Sequence, residues 1–322
     1  MAFIDIFNGD ADGICALIQL RLADPRDSRL VTGVKRDIAL MGKAAIEAGD
    51  NCTVLDISLD KNRQALNQAL DAGASCLYVD HHFAGDIPDH PRLHAIINPA
   101  PDVCTSILVN GHLQGAFTGW ALVGAFGDNL NDSAIRLAKP LSLASDTLER
   151  LQQLGIYINY NGYGASEADL HFPPAELYRL LSVHTDPVAF IHDDSASFNQ
   201  LEQGYQDDMA QAASLQPESA DSRVALYMLP NAPWARRVSG VFSNQLANEF
   251  PDRAHAVLTL ISDDTYLVSV RAPLNNKTGA DEVCRQFATG GGRKAAAGIN
   301  ELPEDDIPRF LAAMQGYYGQ VA

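Results

Sequence analysis

The chain has 322 residues, 47% of them hydrophobic, and a formal net charge of −17 at pH 7. That length favours two domains over one, and the apolar share is enough for ordinary packed cores. An acidic surplus of this size weighs against tight binding of long nucleic acid, single-stranded or duplex, which needs many phosphates neutralised; it leaves room for a small anionic substrate held by a few placed cations or metal ions.

In chain order, short apolar runs alternate with helical patterns. Residues 2–7, 30–34, 52–57 and 75–79 read as strands, and 94–97 as a fifth. Residues 13–23, 38–48 and 61–72 read as helices between them. Alternation of this kind predicts βαβ units: a doubly wound, mostly parallel sheet with helices on both faces. Residues 104–117, 120–129, 133–139, 142–154 and 175–182 read as helical, with a turn-rich NYNGYG stretch at 159–164.

From residue 193 to 222 the chain turns polar, which predicts an exposed helix or linker ending near Pro217. Strands at 224–229, 256–261 and 265–270 and helices at 238–249 and 279–288 follow, then a glycine-rich loop. The organisation expected is a metal-binding catalytic domain over 1–192, a linker over 193–222 and a smaller α/β substrate-binding domain over 223–322.

The five cysteines are scattered without a CxxC pair, as buried reduced thiols would be. The N-terminus MAFIDIFNGD shows neither a basic stretch nor a long apolar one, and no apolar run is long enough for a bilayer. The cytoplasm, with no membrane partner, is therefore the expected location. A homodimer is compatible with the sequence.

The chemistry-bearing residues fall where the predicted strands end. The first strand runs into Asn8-Gly9-Asp10-Ala11-Asp12-Gly13, the third ends at Asp56, and the fourth ends at Asp80-His81-His82. Open parallel sheets bind ligands outside the carboxyl ends of their strands, so these groups are expected to share one edge. Taken singly, each has a plainer reading: Asp10 or Asp12 as a helix cap, Asp56 as a turn residue, the histidines as structural. Four carboxylates and two imidazoles at three equivalent strand ends point instead to a shared centre. Clustered carboxylates repel unless a cation lies among them, and oxygen donors with imidazole suit Mn²⁺, with Mg²⁺ or another divalent ion as the alternative. Two such ions would clamp an in-line attack on phosphorus.

The Asp80-His81-His82 element and the order of the motifs resemble the DHH phosphoesterase superfamily, which includes exonucleases of the RecJ type, nanoRNases, cyclic-dinucleotide phosphodiesterases and inorganic pyrophosphatases. The resemblance implies Asp10, Asp12, Asp56, Asp80, His81 and Asp128 as metal ligands, Asp56 bridging two ions, and His82 beside the substrate phosphate. Asp146 is the weaker candidate for the position given to Asp128. Many members carry a histidine shortly before the DxD element; here Ile6 and Asn8 stand in that neighbourhood, and Asn8 offers an amide oxygen. Gly290-Gly291-Gly292-Arg293-Lys294-Ala295-Ala296-Ala297-Gly298 resembles the family's DHHA1 signature, with Arg293 where histidine is usual. Arg271 resembles the arginine at the end of an SxRS strand. These imply substrate contacts by Arg271, Gly290, Gly291, Gly292, Arg293 and Lys294, with Asn8 at the other end.

The resemblance implies hydrolysis of short nucleotide substrates by a metal-bridging hydroxide, with Asp80 and His82 in the catalytic set. Rival readings are a RecJ-like single-strand exonuclease, an inorganic pyrophosphatase, and a nucleotide-binding regulator with weakened catalysis. The charge balance and the absence of an evident basic groove with aromatic platforms favour a short nucleotide. Arg236-Arg237 and Asn159-Tyr160-Asn161 are weaker candidates for substrate contact, each with a plainer reading as surface or turn residues.

Overall fold

The computed structural model describes residues 1–319. Two compact units divide within one long helix, the first ending at Gln203 and the second starting at Gly204.

The first unit carries β1 (Phe3–Phe7), α1 (Ala11–Ala23), β2 (Arg29–Val31), β3 (Asn51–Leu55), α2 (Leu59–Ala72), β4 (Ser75–Asp80) and β5 (Leu93–Ile97). All five strands are parallel, in the order β2-β1-β3-β4-β5. Chain order reverses at β1, which makes the β1/β3 edge the topological switch point. Alternate residues Ile4, Ile6, Cys52, Val54, Cys76 and Tyr78 build one core face, closed by Leu66 and Leu70 of α2 and by Leu40 and Met41. On the opposite face, Asp5 and Thr53 meet Arg21 of α1, so helices cover both sides. Helix α1 is buried from Ala11 to Leu20.

A helical layer follows: α3 (Thr105–His112), α4 (Thr118–Gly127), α5 (Asn131–Ala138), α6 (Ser145–Asn161), α7 (Pro174–Ser182), α8 (Pro187–Asp193) and α9 (Ser195–Ala213). Gly155 lets α6 approach α4 closely: a Cβ there would lie 2.3 Å from the Val123 carbonyl oxygen.

The second unit carries β6 (Ser219–Ala220), β7 (Val224–Leu229), α10 (Pro233–Glu249), β8 (Ala254–Ser262), β9 (Thr265–Arg271), α11 (Ala280–Cys284), β10 (Gly290–Gly292), β11 (Ala296–Pro303) and α12 (Ile307–Tyr318). Its mixed sheet runs β10-β11-β9-β8-β7-β6. Its core joins Val268 and Val270 to Phe310 and Met314 of α12.

Four local readings change. The helix expected over 38–48 is only a 3₁₀ turn, Leu40–Lys43. The carbonyls of Ala44 and Ala45 accept from the Arg29 guanidinium, and Ala45 and Gly49 take positive φ, so the helix cannot continue. Asn159, Tyr160 and Asn161, expected in a turn, form the last turn of α6, where packing of Leu154 and Ile158 overrides local turn propensity. The glycine-rich segment is a strand rather than a loop: Gly290–Gly292 pairs with Ala297, Gly298 and Ile299. Helices α8 and α12 escape the sequence reading. Yet α8 has Asp186 as cap with Pro187 after it, and α12 spaces Phe310, Met314 and Tyr318 four apart.

All five cysteines are buried and none forms a disulfide. Among the described residues, no helix is long and apolar enough to cross a membrane.

Candidate metal centre

The carboxyl edge of the five-stranded sheet gathers side chains from several elements. Asp10 caps α1, its Oδ1 accepting from the backbone N–H of Asp12 and of Gly13 at 3.0 and 3.1 Å. Gly13 is required by space, since a Cβ would lie 2.3 Å from the Asn8 carbonyl oxygen. Asp12, in the first turn of α1, points to the start of α3: its two oxygens accept from the backbone N–H groups of Thr105 and Ser106, each at 2.7 Å. The positive end of α3 thus steadies a buried carboxylate.

Asp56 follows β3 with φ of 58°, a left-handed conformation that costs about 1 kcal/mol or more in a residue other than glycine. Its Oδ1 accepts from the Thr105 hydroxyl at 3.2 Å. Burial first, then the charges of Asp10 and Asp12, raise its pKa well above the usual carboxylate value, with His82 opposing and Asp128 adding to the rise. Asp80 ends β4. Its Oδ1 accepts from the His81 backbone N–H at 2.9 Å and bonds His82 Nδ1 at 2.7 Å, while its buried Oδ2 has no hydrogen-bond partner.

His81 is the hub. Its Nδ1 lies 3.0 Å from the Val103 carbonyl oxygen, so that nitrogen carries the proton and Nε2 presents its lone pair. Around Nε2 stand Asp56 Oδ1 at 3.4 Å, Asp128 Oδ2 at 3.7 Å and Asp12 Oδ2 at 3.9 Å. A lone pair facing three carboxylates is repulsive on its own. Donors round an ion bound at about 2.1 Å lie about 3 Å apart when adjacent and about 4.2 Å when opposite, which brackets this spacing. A histidine held through its second nitrogen by a carbonyl is also the usual posture of a metal ligand. Among the described residues two groupings could hold an ion: Asp56 with His81 and His82, and Asp12 with His81 and Asp128. The oxygen and imidazole donors, together with the unpartnered Asp80 Oδ2, fit a hard or borderline divalent cation such as Mn²⁺.

Asp128 reaches the centre from the C-terminal end of α4. Asp146 does not: it is exposed in the first turn of α6 and bonds the Thr147 backbone N–H. His82 is partly exposed, its side chain 34% accessible.

Sequence reasoning missed Lys35, Asn159 as its partner, and the α3 N-terminus. Lys35 follows β2 and donates through Nζ to Asp10 Oδ2 and, at 2.8 Å, to Asn159 Oδ1. Burial opposes its charge, but Asp10, Tyr163 and Asp128 hold the ammonium pKa above that of ordinary lysine. The available signal was the one used for the acids: Lys35 and Thr105 also follow strands of the same sheet. Asn8 is buried, and its Nδ2 donates to the Lys35 carbonyl at 3.2 Å.

In the second unit, Arg271 ends β9 and donates from Nε to Asn244 Oδ1 at 2.6 Å. The β10–β11 turn exposes Arg293 and Lys294 beside it, since Ala296 pairs with Arg271 in register. Arg237 is committed elsewhere, in a mostly buried ion pair with Asp208 at 2.7 Å. Asn161 is structural, accepting from the N–H groups of His171 and Phe172.

No family model and no curated protein matches the chain. Solved structures do. The chain is similar over its whole length to exonuclease RecJ bound to manganese, with TM-score 0.63, 17% identity and 91% of that chain covered. It is similar to the pGpG-specific phosphodiesterase PggH from Vibrio cholerae, with TM-score 0.58, 15% identity and 100% of both chains covered. Against RecJ in complex with Mn²⁺ from Thermus thermophilus the TM-score is 0.60 at 15% identity, and this chain spans 52% of that one. The chain therefore shares the fold of these structures: a parallel-sheet unit flanked by helices and a second, mixed-sheet unit.

Proposed function

We propose that this protein is a divalent-metal-dependent phosphoesterase that hydrolyses short nucleotide substrates. The observation that carries the reading is His81 Nε2 standing between carboxylate oxygens of Asp12, Asp56 and Asp128, which come from three separate elements. A divalent ion bound among them, Mn²⁺ in the first instance, would lower the pKa of water and stabilise charge on a phosphoryl group.

The chain's own residues supply the rest. Asp56, Asp12, Asp128, Asp80 and His81 would hold and orient the ion. His82, with Nδ1 fixed on Asp80, keeps Nε2 for the phosphoryl oxygens or the leaving oxygen, as a charge stabiliser or acid. On the second unit, Arg271, Arg293 and Lys294 are cations of the kind that bind a phosphate.

A short substrate is favoured by the net charge of −17, which repels long polyanions. Full-length correspondence with a phosphodiesterase of a linear dinucleotide supports the same size class. The test is a panel with Mn²⁺: a linear dinucleotide, a cyclic dinucleotide, a long single-stranded DNA and pyrophosphate. Hydrolysis of the linear dinucleotide ahead of the others is expected. Turnover of pyrophosphate alone would overturn the nucleotide assignment, and binding without turnover would make the protein a regulator.

A further inference from the structure

The Asp10 end of the centre is already filled by a cation that belongs to the chain. Lys35 Nζ donates to Asp10 Oδ2 and to Asn159 Oδ1, and lies 3.7 Å from Asp128 Oδ1 and 5.5 Å from the centre of the Tyr163 ring. Its backbone is tied on both sides: its N–H donates to the Gly162 carbonyl at 2.7 Å, and its own carbonyl accepts from Asn8 Nδ2. An ammonium placed this way is part of the built site, unlike a surface lysine swinging over it.

Asp10 in turn has both oxygens engaged, Oδ1 by the N-terminus of α1 and Oδ2 by Lys35. Neither grouping able to hold a metal ion includes it. The residues before it bring no further anion or imidazole, since Ile6 is apolar and Asn8 gives its amide N–H to Lys35.

We propose that Lys35 is a tethered cation standing in for a second metal ion, so that the centre holds one divalent ion, on the single His81 Nε2 lone pair that both groupings share, with the ammonium neutralising Asp10. This rests on the metal-centre reading above and narrows it. A second divalent ion at Asp10 would have to displace the ammonium from its carboxylate and then stand against it at short range, and like charges that close repel strongly in a part-buried site. One divalent ion and one lysine offset the five carboxylates Asp10, Asp12, Asp56, Asp80 and Asp128 in part, and leave room for the anionic substrate to meet net positive charge locally only at the ion.

The experiment counts bound Mn²⁺ per chain in the full-length protein by equilibrium dialysis and elemental analysis, with electron paramagnetic resonance to distinguish an isolated ion from an exchange-coupled pair. Wild type is expected to bind one ion with an isolated-ion spectrum. Lys35→Arg, which keeps the charge, is expected to stay at one. Lys35→Ala is expected to rise to two, with the spectrum of a coupled pair. Two ions in wild type would overturn the inference while leaving the metal centre intact, and this arm needs no variant to fold. One ion in a folded Lys35→Ala protein would overturn it as well. No bound Mn²⁺ in either protein would sink the metal centre itself.

Discussion

Nε2 of His81 stands 3.4 Å from Oδ1 of Asp56, and the opposite nitrogen of the same ring is held by the Val103 carbonyl. The ring cannot turn away without losing that bond, so the lone pair and the carboxylates face one another permanently. Only a proton or a cation makes the arrangement favourable. Adding Mn²⁺ is therefore expected to raise the unfolding temperature, and a chelator to reverse the rise. At a hundredfold excess over its dissociation constant the ion contributes about 2.7 kcal/mol, or several degrees for a chain of this size. Calorimetry with and without Mn²⁺ checks this; coincident curves would remove the centre.

Asp56 suffers most from the cluster, because burial and its acidic neighbours both oppose its charge. In Asp56→Asn the charge disappears while asparagine tolerates the left-handed backbone at φ 58°. The metal-free variant is expected to unfold at the same temperature as wild type or higher. Its response to Mn²⁺ should vanish, and turnover should fall by about 10²–10³-fold. A large loss of metal-free stability would show that Asp56 serves the fold rather than the ion.

A different pair serves stability alone. Buried Asp5 accepts from Arg21 Nε at 2.8 Å and Nη2 at 2.5 Å and from the Ser28 hydroxyl at 2.6 Å. Asp5→Ala would strand the Arg21 guanidinium, only 11% exposed, at a cost of about 3–5 kcal/mol. Denaturant unfolding should show this loss, with Mn²⁺ affinity of the folded protein unchanged. The double change Asp5→Leu with Arg21→Met should recover most of it; a double variant as weak as the single one would contradict the account.

In the second unit, burial and then the Arg253 charge push the His255 imidazole down to about 4. An unfolded histidine titrates near 6.5. Between these values the unfolded chain binds the extra proton, so stability present above about pH 6.5 is lost as pH falls towards 4, by about 2–3 kcal/mol. His255→Gln keeps an acceptor for Arg253 and carries no titrating proton. Its stability should fall less steeply with acid over that window than that of wild type; parallel curves would exclude His255 as the cause.

The parallel sheet was legible because strand and crossover signals are local: Ile4, Ile6, Cys52 and Val54 alternate on the page as they do in the core. The stretch from Leu40 to Gly49 was not, because Arg29, from outside it, claims the carbonyls a helix would have used. The glycine-rich segment read as a loop since its pairing partner, β11, is visible only once the hairpin closes.

At the centre the same division holds. The sequence by itself placed Asp10, Asp12, Asp56, Asp80, His81 and His82 at or just beyond the ends of parallel strands, because that position is a property of a few neighbouring residues. Only the tertiary structure decided what each one faces: Asp10 turns to Lys35, Asp12 to the start of α3, and Asp128 arrives from a helix end. Those choices join residues far apart in the chain, and a side chain's partner is set by which distant surfaces fold against it, which no local pattern encodes.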